Sequence, residues 1–321
     1  MTDGNEVHGL DQEVPTAGAG RAFLPFGAAP LPKDRFVLAP GVYDGLTARV
    51  AAAAGFDVLY MTGFGTAASL GMPDVGLVTQ TEMVDNLRRI VDATGLAVIA
   101  DADTGYGNAV NVYRTVRSYE KAGAAAIHIE DQVFPKKCGF FEGKQVVAAD
   151  EHAQKIRAAC DARLGDDLVI IARTDALAVT GWDDVVERVV CYREAGADVV
   201  FVDGIKTVED LEQYTERVVG LGLPALYNGS LRPAPDIAAR GFRIQICGST
   251  HRLAYFAAWA ALAHLKATGT TTDQVGLASL AEGARPVAPI TQILGLPLIY
   301  DMEARYVSTR PRPAARRVAP F

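Results

Sequence analysis

The sequence predicts an α/β fold, a (β/α)8 barrel of the TIM type that carries extra helices at its C-terminal end. Eight short apolar runs alternate with longer amphipathic stretches, and polar residues follow nearly every run. Strands that are apolar along most of their length are typical of a parallel sheet covered on both sides. Eight strand–helix units favour a closed barrel, and an open doubly wound sheet is the alternative.

The predicted elements follow one another in a regular order. The β-rich runs are Phe36–Ala39, Val58–Met61, Ala97–Ala100, Ala126–Ile129, Leu168–Ala172, Val199–Val202, Ala225–Tyr227 and Arg243–Ile246. The helical patterns between them include Val110–Ala122, Glu151–Ala162, Trp182–Ala195 and Val208–Val219. Several patterns end at a glycine suited to a left-handed helix cap, namely Gly55, Gly95, Gly123, Gly196, Gly220 and Gly241.

Helical patterns continue beyond the eighth strand. Leu253–Ala267 is long and rich in alanine, and Thr272–Glu282 and Ile290–Leu294 follow it. Helices outside a completed barrel need a surface to cover, so we expect a partner subunit to supply one.

A single domain is predicted for residues 33–306, since a chain of 321 residues fits one barrel with its added helices. Residues 1–32 are rich in Gly, Ala and Pro and lack periodicity, which predicts a mobile arm. Residues 307–321 are rich in Pro and Arg and are expected to form a flexible tail.

The composition excludes several classes of partner. A net charge of −7 and a pI of about 5.3 argue against a nucleic-acid-binding surface. No apolar run approaches the roughly 18 residues that span a bilayer, and the N-terminus lacks a signal-peptide pattern. The four cysteines form no CxxC pair, which argues against zinc and disulfides. We therefore expect a cytoplasmic protein without nucleic-acid or membrane partners.

Polar side chains follow the predicted strands at the end where barrel active sites are built. They are Tyr60, Thr62 and Gly63 after the second strand, Asp101 and Asp103 after the third, Glu130 and Asp131 after the fourth, Arg173 and Asp175 after the fifth, Asp203 after the sixth, and Asn228 and Ser230 after the seventh. A single Asp in such a place is usually a turn or cap residue. A polar residue after nearly every strand instead indicates one shared site.

Asp101 and Asp103 predict a metal site. Alternate acids in an extended segment point to one side, and they repel each other unless a cation neutralises them. Oxygen ligands suit a hard divalent ion, Mg²⁺ or Mn²⁺, that keeps several waters. His128, inside the fourth run, is expected to be a satisfied core histidine.

Arg173 and Cys138 complete the predicted chemistry. The planar guanidinium suits a bidentate clamp on a substrate carboxylate, although a structural ion pair is the alternative. Cys138 lies in the loop Lys136-Lys137-Cys138-Gly139, where adjacent cations lower the pKa of a thiol, and the alternative is an inert loop cysteine. Metal and arginine together imply a small anionic substrate that chelates through two oxygens.

Five ordered motifs give the chain a family resemblance. MTGFGTAASLGMPDVG, ADADTGYGN, HIEDQVFPKKCG with EGK, IARTDA and LIYDMEARY together resemble the isocitrate lyase/phosphoenolpyruvate mutase superfamily over roughly residues 36 to 306. The chain is most similar to its 2-methylisocitrate lyase and carboxyphosphonoenolpyruvate mutase-like branch. The resemblance implies a barrel whose terminal helix is exchanged between subunits of a homotetramer, a dimer of dimers, with an Mg²⁺ site for 2-oxo or 2-hydroxy acids.

The resemblance also implies roles for individual residues. Asp101 would bind the metal directly, and Asp74, Asp103 and Glu130 would hold its waters. The substrate would contact Tyr60, Thr62, Gly63, Phe64, Asp203 and Asn228. Cys138 would be the general acid on a gating loop, with Arg173 and Lys136 completing the catalytic group.

Three departures from the family pattern bear on the substrate. Phe140 stands where lyases of the family carry a histidine, Asp203 stands where a glutamate is usual, and YNGSLRP replaces the usual seventh-strand segment. Loss of the histidine removes a proton carrier and a carboxylate contact, which favours a less charged substrate tail than that of a tricarboxylate.

The sequence thus predicts an Mg²⁺-dependent carbon–carbon lyase. Its substrate would be a malate-like substituted 2-hydroxy or 2-oxo dicarboxylic acid, cleaved through a metal-stabilised enolate with Cys138 as general acid. The alternatives are an oxaloacetate-type decarboxylase or hydrolase, a phosphonopyruvate-type P–C bond enzyme, or a repurposed, non-catalytic barrel in specialised biosynthesis.

Overall fold

Eight parallel strands close into a barrel in the computed structural model, which describes residues 29–139, 141–248, 250–270 and 288–306. Each strand pairs with the next, and β8 returns to β1 with Val37 opposite Ile244. The closed barrel is confirmed and the open sheet is excluded. The strands are β1 Val37–Val42, β2 Val58–Met61, β3 Ala97–Asp101, β4 Ala126–Glu130, β5 Val169–Thr174, β6 Val199–Val202, β7 Ala225–Asn228 and β8 Ile244–Cys247.

Several strands run further than their apolar sequences. The β3–β4 ladder continues until Asp101 lies opposite His128, and the β4–β5 ladder continues until Glu130 lies opposite Arg173. The polar residues predicted to follow these strands are therefore their last members. Backbone pairing fixes their positions more firmly than a loop would.

Helices lie between successive strands along the chain, and further helices follow β8. They are α1 Gly45–Ala53, α2 Gly63–Ser69, α3 Gln80–Thr94, α4 Ala109–Lys121, α5 Ala149–Ala162, α6 Trp182–Glu194, α7 Val208–Arg217, α8 Ala234–Ala239, α9 Thr250–Thr268, α10 Ile290–Ile293 and α11 Leu296–Tyr306. The predicted cap glycines have positive φ, except Gly220. There the prediction is wrong, because a 3-10 turn, Val219–Leu221, follows α7 and Gly222 takes the left-handed conformation.

The core has an inner and an outer part. Side chains such as Ile99, Ile171 and Phe201 fill the barrel, and Leu31 joins them. Leu31 belongs to the predicted arm, whose residues 1–28 lie outside the described residues. The outer part packs the strands against the helices, as Leu87 of α3 illustrates.

The C-terminal helices project apolar side chains into solvent in the single chain. The predicted helix at Leu253–Ala267 is confirmed as α9, and the exposed residues on it include Leu253, Trp259 and Leu262. The pattern at Thr272–Glu282 and the tail at 307–321 lie outside the described residues. α10 corresponds to the predicted pattern at Ile290–Leu294, and α11 follows it. No described helix has both the length and the apolar character needed to cross a bilayer.

Candidate active site

The four acids predicted to bind metal are all buried at the carboxyl-end rim of the barrel. Asp101 ends β3 and Glu130 ends β4, while Asp103 and Asp74 lie on loops. The Asp103 N–H donates to Asp101 Oδ1 at 3.0 Å, and the Glu130 N–H donates to the Asp103 carbonyl at 2.9 Å. Backbone hydrogen bonds therefore join the two strand ends that carry three of the acids.

Gly63 brings the start of α2 against Asp101. Its N–H donates to Asp101 Oδ2 at 3.1 Å. A Cβ atom at position 63 would lie 2.4 Å from the same oxygen, so only glycine permits this approach. Thr62 is the N-cap of α2 and accepts from the Gly65 N–H, which gives this predicted substrate residue a structural role as well.

Lys136 lies among the acids of the rim. Its Nζ is 2.5 Å from Asp74 Oδ1 and 2.8 Å from Asp103 Oδ1. Although burial opposes its charge, Asp103 and the other carboxylates raise the pKa of Lys136 well above its usual value. Lys137 donates to two carbonyls of its own loop. The effect of both lysines on the pKa of Cys138 stays a prediction.

The rim carries more negative than positive charge. Burial raises the pKa of Glu130 well above its usual value, against the pull of Arg173. Burial also raises the pKa of Asp103 to about 6 against the charge of Lys136. Among the described residues, buried carboxylates outnumber buried cations in this part of the barrel by seven to five. The carboxylates are Asp74, Asp101, Asp103, Glu130, Asp131, Asp175 and Asp203, and the cations are Lys136, Lys144, Lys155, Arg173 and Arg188. Such an excess suits an added cation.

The donor set fits Mg²⁺ better than zinc. It consists of carboxylate oxygens, and Glu130 Oε1 is buried without a hydrogen-bond partner. The described residues contain no group of three or more acidic, His or Cys side chains arranged as direct ligands. An ion held largely through waters, as Mg²⁺ often is, is compatible with that arrangement.

Arg173 pairs with carboxylates from three strand ends. Its Nε lies 2.9 Å from Asp175 Oδ2, its Nη2 lies 2.9 Å from Asp203 Oδ2, and its Nη1 lies 3.1 Å from Glu130 Oε2. The Asn228 amide donates to Asp203 Oδ1 at 3.3 Å. The structure therefore brings together the predicted residues Arg173, Asp203 and Asn228, at the same mouth of the barrel as Glu130.

Tyr60 and His128 lie inside the barrel beneath the acids. The Tyr60 hydroxyl is 3.2 Å from His128 Nε2, and His128 Nδ1 is 3.7 Å from Asp101 Oδ1. Burial lowers the pKa of His128 to about 4, so the imidazole is neutral near pH 7. His128 is a buried core residue, as predicted, but the expectation that it is fully hydrogen-bonded is wrong, because its Nδ1 is buried without a hydrogen-bond partner. Its ring lies between Tyr60 and Asp101.

Cys138 lies on a loop that covers this mouth. We call residues 133–146 the cysteine loop. The bridge between Gln132 and Val146 closes its base, and the Cys138 N–H donates to the Asp74 carbonyl at 3.0 Å. A Cβ atom at position 139 would lie 1.5 Å from Asp203 Oδ2, so the backbone of Gly139 rests directly on the Arg173 network. The Cys138 side chain is largely buried.

Two residues that were given no role in advance connect the cysteine loop to the network. Lys144 donates to the Gly139 carbonyl at 2.6 Å and to Asp175 Oδ1 at 2.9 Å. Asp175 is held in turn by Asp131, which accepts from the Asp175 N–H at 2.9 Å. Their positions in the EGK and IARTDA motifs were the available signal.

Three aromatic side chains pack against one another beside the mouth of the barrel. The Phe64 ring lies 4.7 Å from the ring of His251 and 6.5 Å from that of Phe141, between ring centroids. Phe64 was predicted to contact substrate, whereas His251, at the start of α9, was missed. Phe140, which replaces the family histidine, lies outside the described residues.

Comparison with known proteins identifies the family of this site. The family model described as phosphoenolpyruvate phosphomutase matches residues 29–267. The chain belongs to the phosphoenolpyruvate phosphomutase family. The resemblance that the motifs indicated is thereby confirmed at the family level.

Relatives of the phosphoenolpyruvate phosphomutase family include carbon–carbon lyases. The chain is 41% identical over 284 residues to 2,3-dimethylmalate lyase of Eubacterium barkeri, an alignment that covers 87% of this chain and 96% of the relative. A crystal structure of 2,3-dimethylmalate lyase, described as a member of the PEP mutase/isocitrate lyase superfamily, matches with a TM-score of 0.75 at 41% identity over 85% and 91% of the two chains. The chain is accordingly a lyase of this family.

Another solved structure widens the range of chemistry among the relatives. Oxaloacetate acetylhydrolase in complex with 3,3-difluorooxalacetate matches with a TM-score of 0.77 at 38% identity, over 87% of this chain and 94% of that one. The phosphoenolpyruvate phosphomutase family thus combines one barrel with cleavage of several different small acids.

Proposed function

We propose that the protein is an Mg²⁺-dependent lyase that cleaves a malate-like, substituted 2-hydroxy dicarboxylic acid into a 2-oxo acid and a second carboxylic acid. The observation that carries the proposal is the placement of buried acids, Arg173 and Cys138 at one mouth of the barrel. The 41% identity to 2,3-dimethylmalate lyase supports the choice of substrate class.

The metal and substrate would share the acidic rim. Asp101 would hold Mg²⁺ directly, and Asp74, Asp103 and Glu130 would hold its waters. When bound, the ion would polarise the oxygens of the substrate and balance the negative charge that develops there. A crystal structure of phosphonopyruvate hydrolase in complex with oxalate and Mg²⁺ matches this chain at 32% identity, with a TM-score of 0.74 over 85% and 95% of the two chains, and supports this cofactor.

The chain's own residues would bind and orient the substrate. Arg173 keeps Asp175 and Asp203 as partners, and its Nη1 is the nitrogen best placed to turn to a substrate carboxylate, because its contact with Glu130 is not a hydrogen bond. The Gly63 backbone and Asn228 would face the remaining oxygens. Phe64 and its aromatic neighbours would pack against the alkyl substituent, which fits a substrate tail without charge.

Cleavage would require two proton transfers. A base removes the hydroxyl proton, and the electrons of that O–H bond form the carbonyl of the 2-oxo acid while the adjacent C–C bond breaks. The electron pair left on the second fragment would take a proton from the Cys138 thiol. Closure of the cysteine loop would exclude water while this charge is present.

One alternative has a specific observation in its favour. The similarity to oxaloacetate acetylhydrolase supports hydrolysis of a 2-oxo dicarboxylate by the same group of residues. In that reaction water would supply the atoms added across the broken bond, so oxaloacetate would give acetate and oxalate.

A substrate panel would test the proposal. Purified protein is incubated with C4 to C7 hydroxy- and oxo-dicarboxylic acids, with Mg²⁺ or with EDTA, and 2-oxo acid formation is measured. We expect Mg²⁺-dependent pyruvate from a 3-alkyl-substituted 2-methylmalate and little turnover of tricarboxylates. Oxalate and acetate from oxaloacetate alone would instead support the hydrolase. No turnover of any member, with Mg²⁺ bound, would support a repurposed barrel.

We also propose a homotetrameric, cytoplasmic enzyme. The exposed apolar side chains of α9 and α11 support the assembly, because such surfaces are normally covered in solution. Widely spaced cysteines without disulfides among the described residues fit a reducing compartment.

A further inference from the structure

Lys144 lies at the point where the cysteine loop meets the rim of the barrel. Its side chain is almost fully buried, although it belongs to the cysteine loop that covers the mouth of the barrel. A buried ammonium group is costly unless it is paired and hydrogen-bonded. The contacts that offset this cost therefore indicate what the residue does.

Those contacts join the loop to the strands. Nζ donates to the Gly139 carbonyl at 2.6 Å, one residue from the thiol, and to Asp175 Oδ1 at 2.9 Å, just beyond β5. The other half of the loop is held differently, since the Cys138 N–H donates to the Asp74 carbonyl at 3.0 Å. Lys144 thus fastens the second half of the loop.

Asp175 is shared between Lys144 and Arg173. Arg173 donates to Asp175 through Nε at 2.9 Å and through Nη2 at 3.1 Å. Burial opposes the charge of Asp175, but Arg173 and Lys144 outweigh it and lower its pKa. Withdrawal of Lys144 when the loop lifts would leave Asp175 with Arg173 as its cationic partner among the described residues. Loop position and guanidinium position are therefore linked through one carboxylate.

We propose that Lys144 is a latch, a positioning residue that holds Cys138 over the substrate by joining the Gly139 carbonyl to Asp175. When the latch is closed, the same carboxylate orients Arg173, so the proton donor and the carboxylate clamp reach their working positions together. The kinetic part of this inference rests on the proposed function, whereas the access of reagents to Cys138 does not.

Alkylation of Cys138 tests the latch without any substrate. Lys144→Met keeps most of the side-chain volume but removes the donor, and Lys121→Met, at the exposed end of α4, is the control. Rate constants for iodoacetamide are compared across about pH 6 to 9, which separates thiol access from thiol ionisation. Peptide mass spectrometry follows each of the four cysteines separately.

We expect iodoacetamide to react with Cys138 at least about tenfold faster in Lys144→Met than in the parent protein. The reaction rates of Cys160, Cys191 and Cys247 should stay unchanged. The reason is that a loss of about 1.4 kcal/mol from the stability of the closed loop changes the ratio of closed to open loop tenfold. An unchanged rate at Cys138 would overturn the proposal. A parallel rise at all four cysteines would also overturn it, since that would indicate general loosening. Should Lys144→Met not fold, Lys144→Leu gives the same test, because it also removes the donor.

Kinetics separate the latch from the proposed reaction. On any substrate that the panel identifies, Lys144→Met should lower kcat about 10- to 100-fold while Mg²⁺ binding, measured by calorimetry, stays unchanged. Faster alkylation with no substrate found for the parent protein would support the latch and count against the proposed function. Normal kcat in Lys144→Met would refute the latch's part in catalysis.

Discussion

The contacts of each residue at the rim are determined by the charged side chains around it. Buried acids outnumber buried cations in the described part of the site, so Lys136 and Arg173 each pair with more than one carboxylate. Arg173 has the largest number of carboxylate contacts, which join Glu130, Asp175 and Asp203. The structural ion pair that was the alternative interpretation of Arg173 is therefore present, and its role as a clamp on a substrate carboxylate stays a prediction.

Arg173→Lys should destabilise the protein as well as inactivate it. Lysine keeps the charge but loses the planar fork, so two buried carboxylates would lose hydrogen bonds, at a cost of about 3 kcal/mol. Arg217→Lys is the matched control, because Arg217 pairs with the exposed Asp183 and should cost less than about 1 kcal/mol. Urea unfolding of both variants measures the difference, and equal losses would contradict the role assigned to Arg173.

The acids at the strand ends were predictable from sequence, whereas the direction of each loop side chain was not. Strand periodicity and pairing place Asp101, Glu130 and Arg173 at the same rim. Lys136 was assigned to the neighbouring thiol because it is close in sequence, but its side chain points to Asp74 and Asp103. Lys144 and Asp175 meet only in the folded chain, so their pairing had no local signal.

The cysteine loop is the element on which the proposed chemistry depends. Its fit to the rim requires a residue without a side chain at position 139, because a Cβ there would overlap Asp203. The base of the loop is fixed separately by the bridge between Gln132 and Val146. A change at the tip should therefore lift the loop without unfolding the barrel.

Gly139→Ala should lower kcat at least about tenfold with little change in thermal stability. The added methyl would push the loop away from Asp203 and so move Cys138 away from the site. Gly165→Ala is the control, because a Cβ at position 165 would meet no atom within 4 Å. Steady-state kinetics and thermal unfolding measure both effects. Full activity in Gly139→Ala would show that close packing of the loop is not required.

The packing of α5 on α6 predicts a pH-dependent stability. His152 of α5 is buried with its ring 4.6 Å from that of Tyr192 of α6. Burial, helped by Lys155 and Arg188, lowers the pKa of His152 from 6.5 to about 3. The unfolded chain therefore binds a proton below about pH 6.5 that the folded chain does not bind until about pH 3, and stability is lost as the pH falls through that range.

His152→Phe should remove this pH dependence while keeping the ring contact. Between about pH 6 and pH 4, the parent protein should lose about 1.4 kcal/mol more per pH unit than the variant. Urea unfolding at several pH values gives the two slopes. Parallel slopes would mean that His152 takes up its proton in the folded chain as readily as in the unfolded one.

At the scale of the whole molecule, the barrel follows directly from the sequence pattern. Eight apolar runs became eight paired strands, and the family match agrees with that architecture. The C-terminal helices were only partly predicted, because α9 and α10 were expected and α11 was not. α11 follows α10 after a single turn and contacts little of its own barrel. An exposed amphipathic helix carries no sequence signal for what covers it. The exchange of helices between subunits stays a prediction.

Charge introduced on α9 should disrupt assembly. Trp259 is 66% exposed in the single chain, so Trp259→Glu should give a smaller particle than the parent protein in light scattering. Leu221→Glu is the control, because Leu221 is also exposed but lies after α7, away from α9. A parent protein that is monomeric would contradict the proposed homotetramer.

Comparison of Cys138→Ser with the parent protein decides whether the Cys138 thiol delivers the proton that completes carbon–carbon cleavage. A general acid contributes about 10²- to 10⁴-fold, so kcat on the panel's best hydroxy dicarboxylate should fall by that factor while Mg²⁺ binding is retained. Cys191→Ser, on α6, should remain fully active. Turnover by Cys138→Ser within about threefold of the parent would contradict the account.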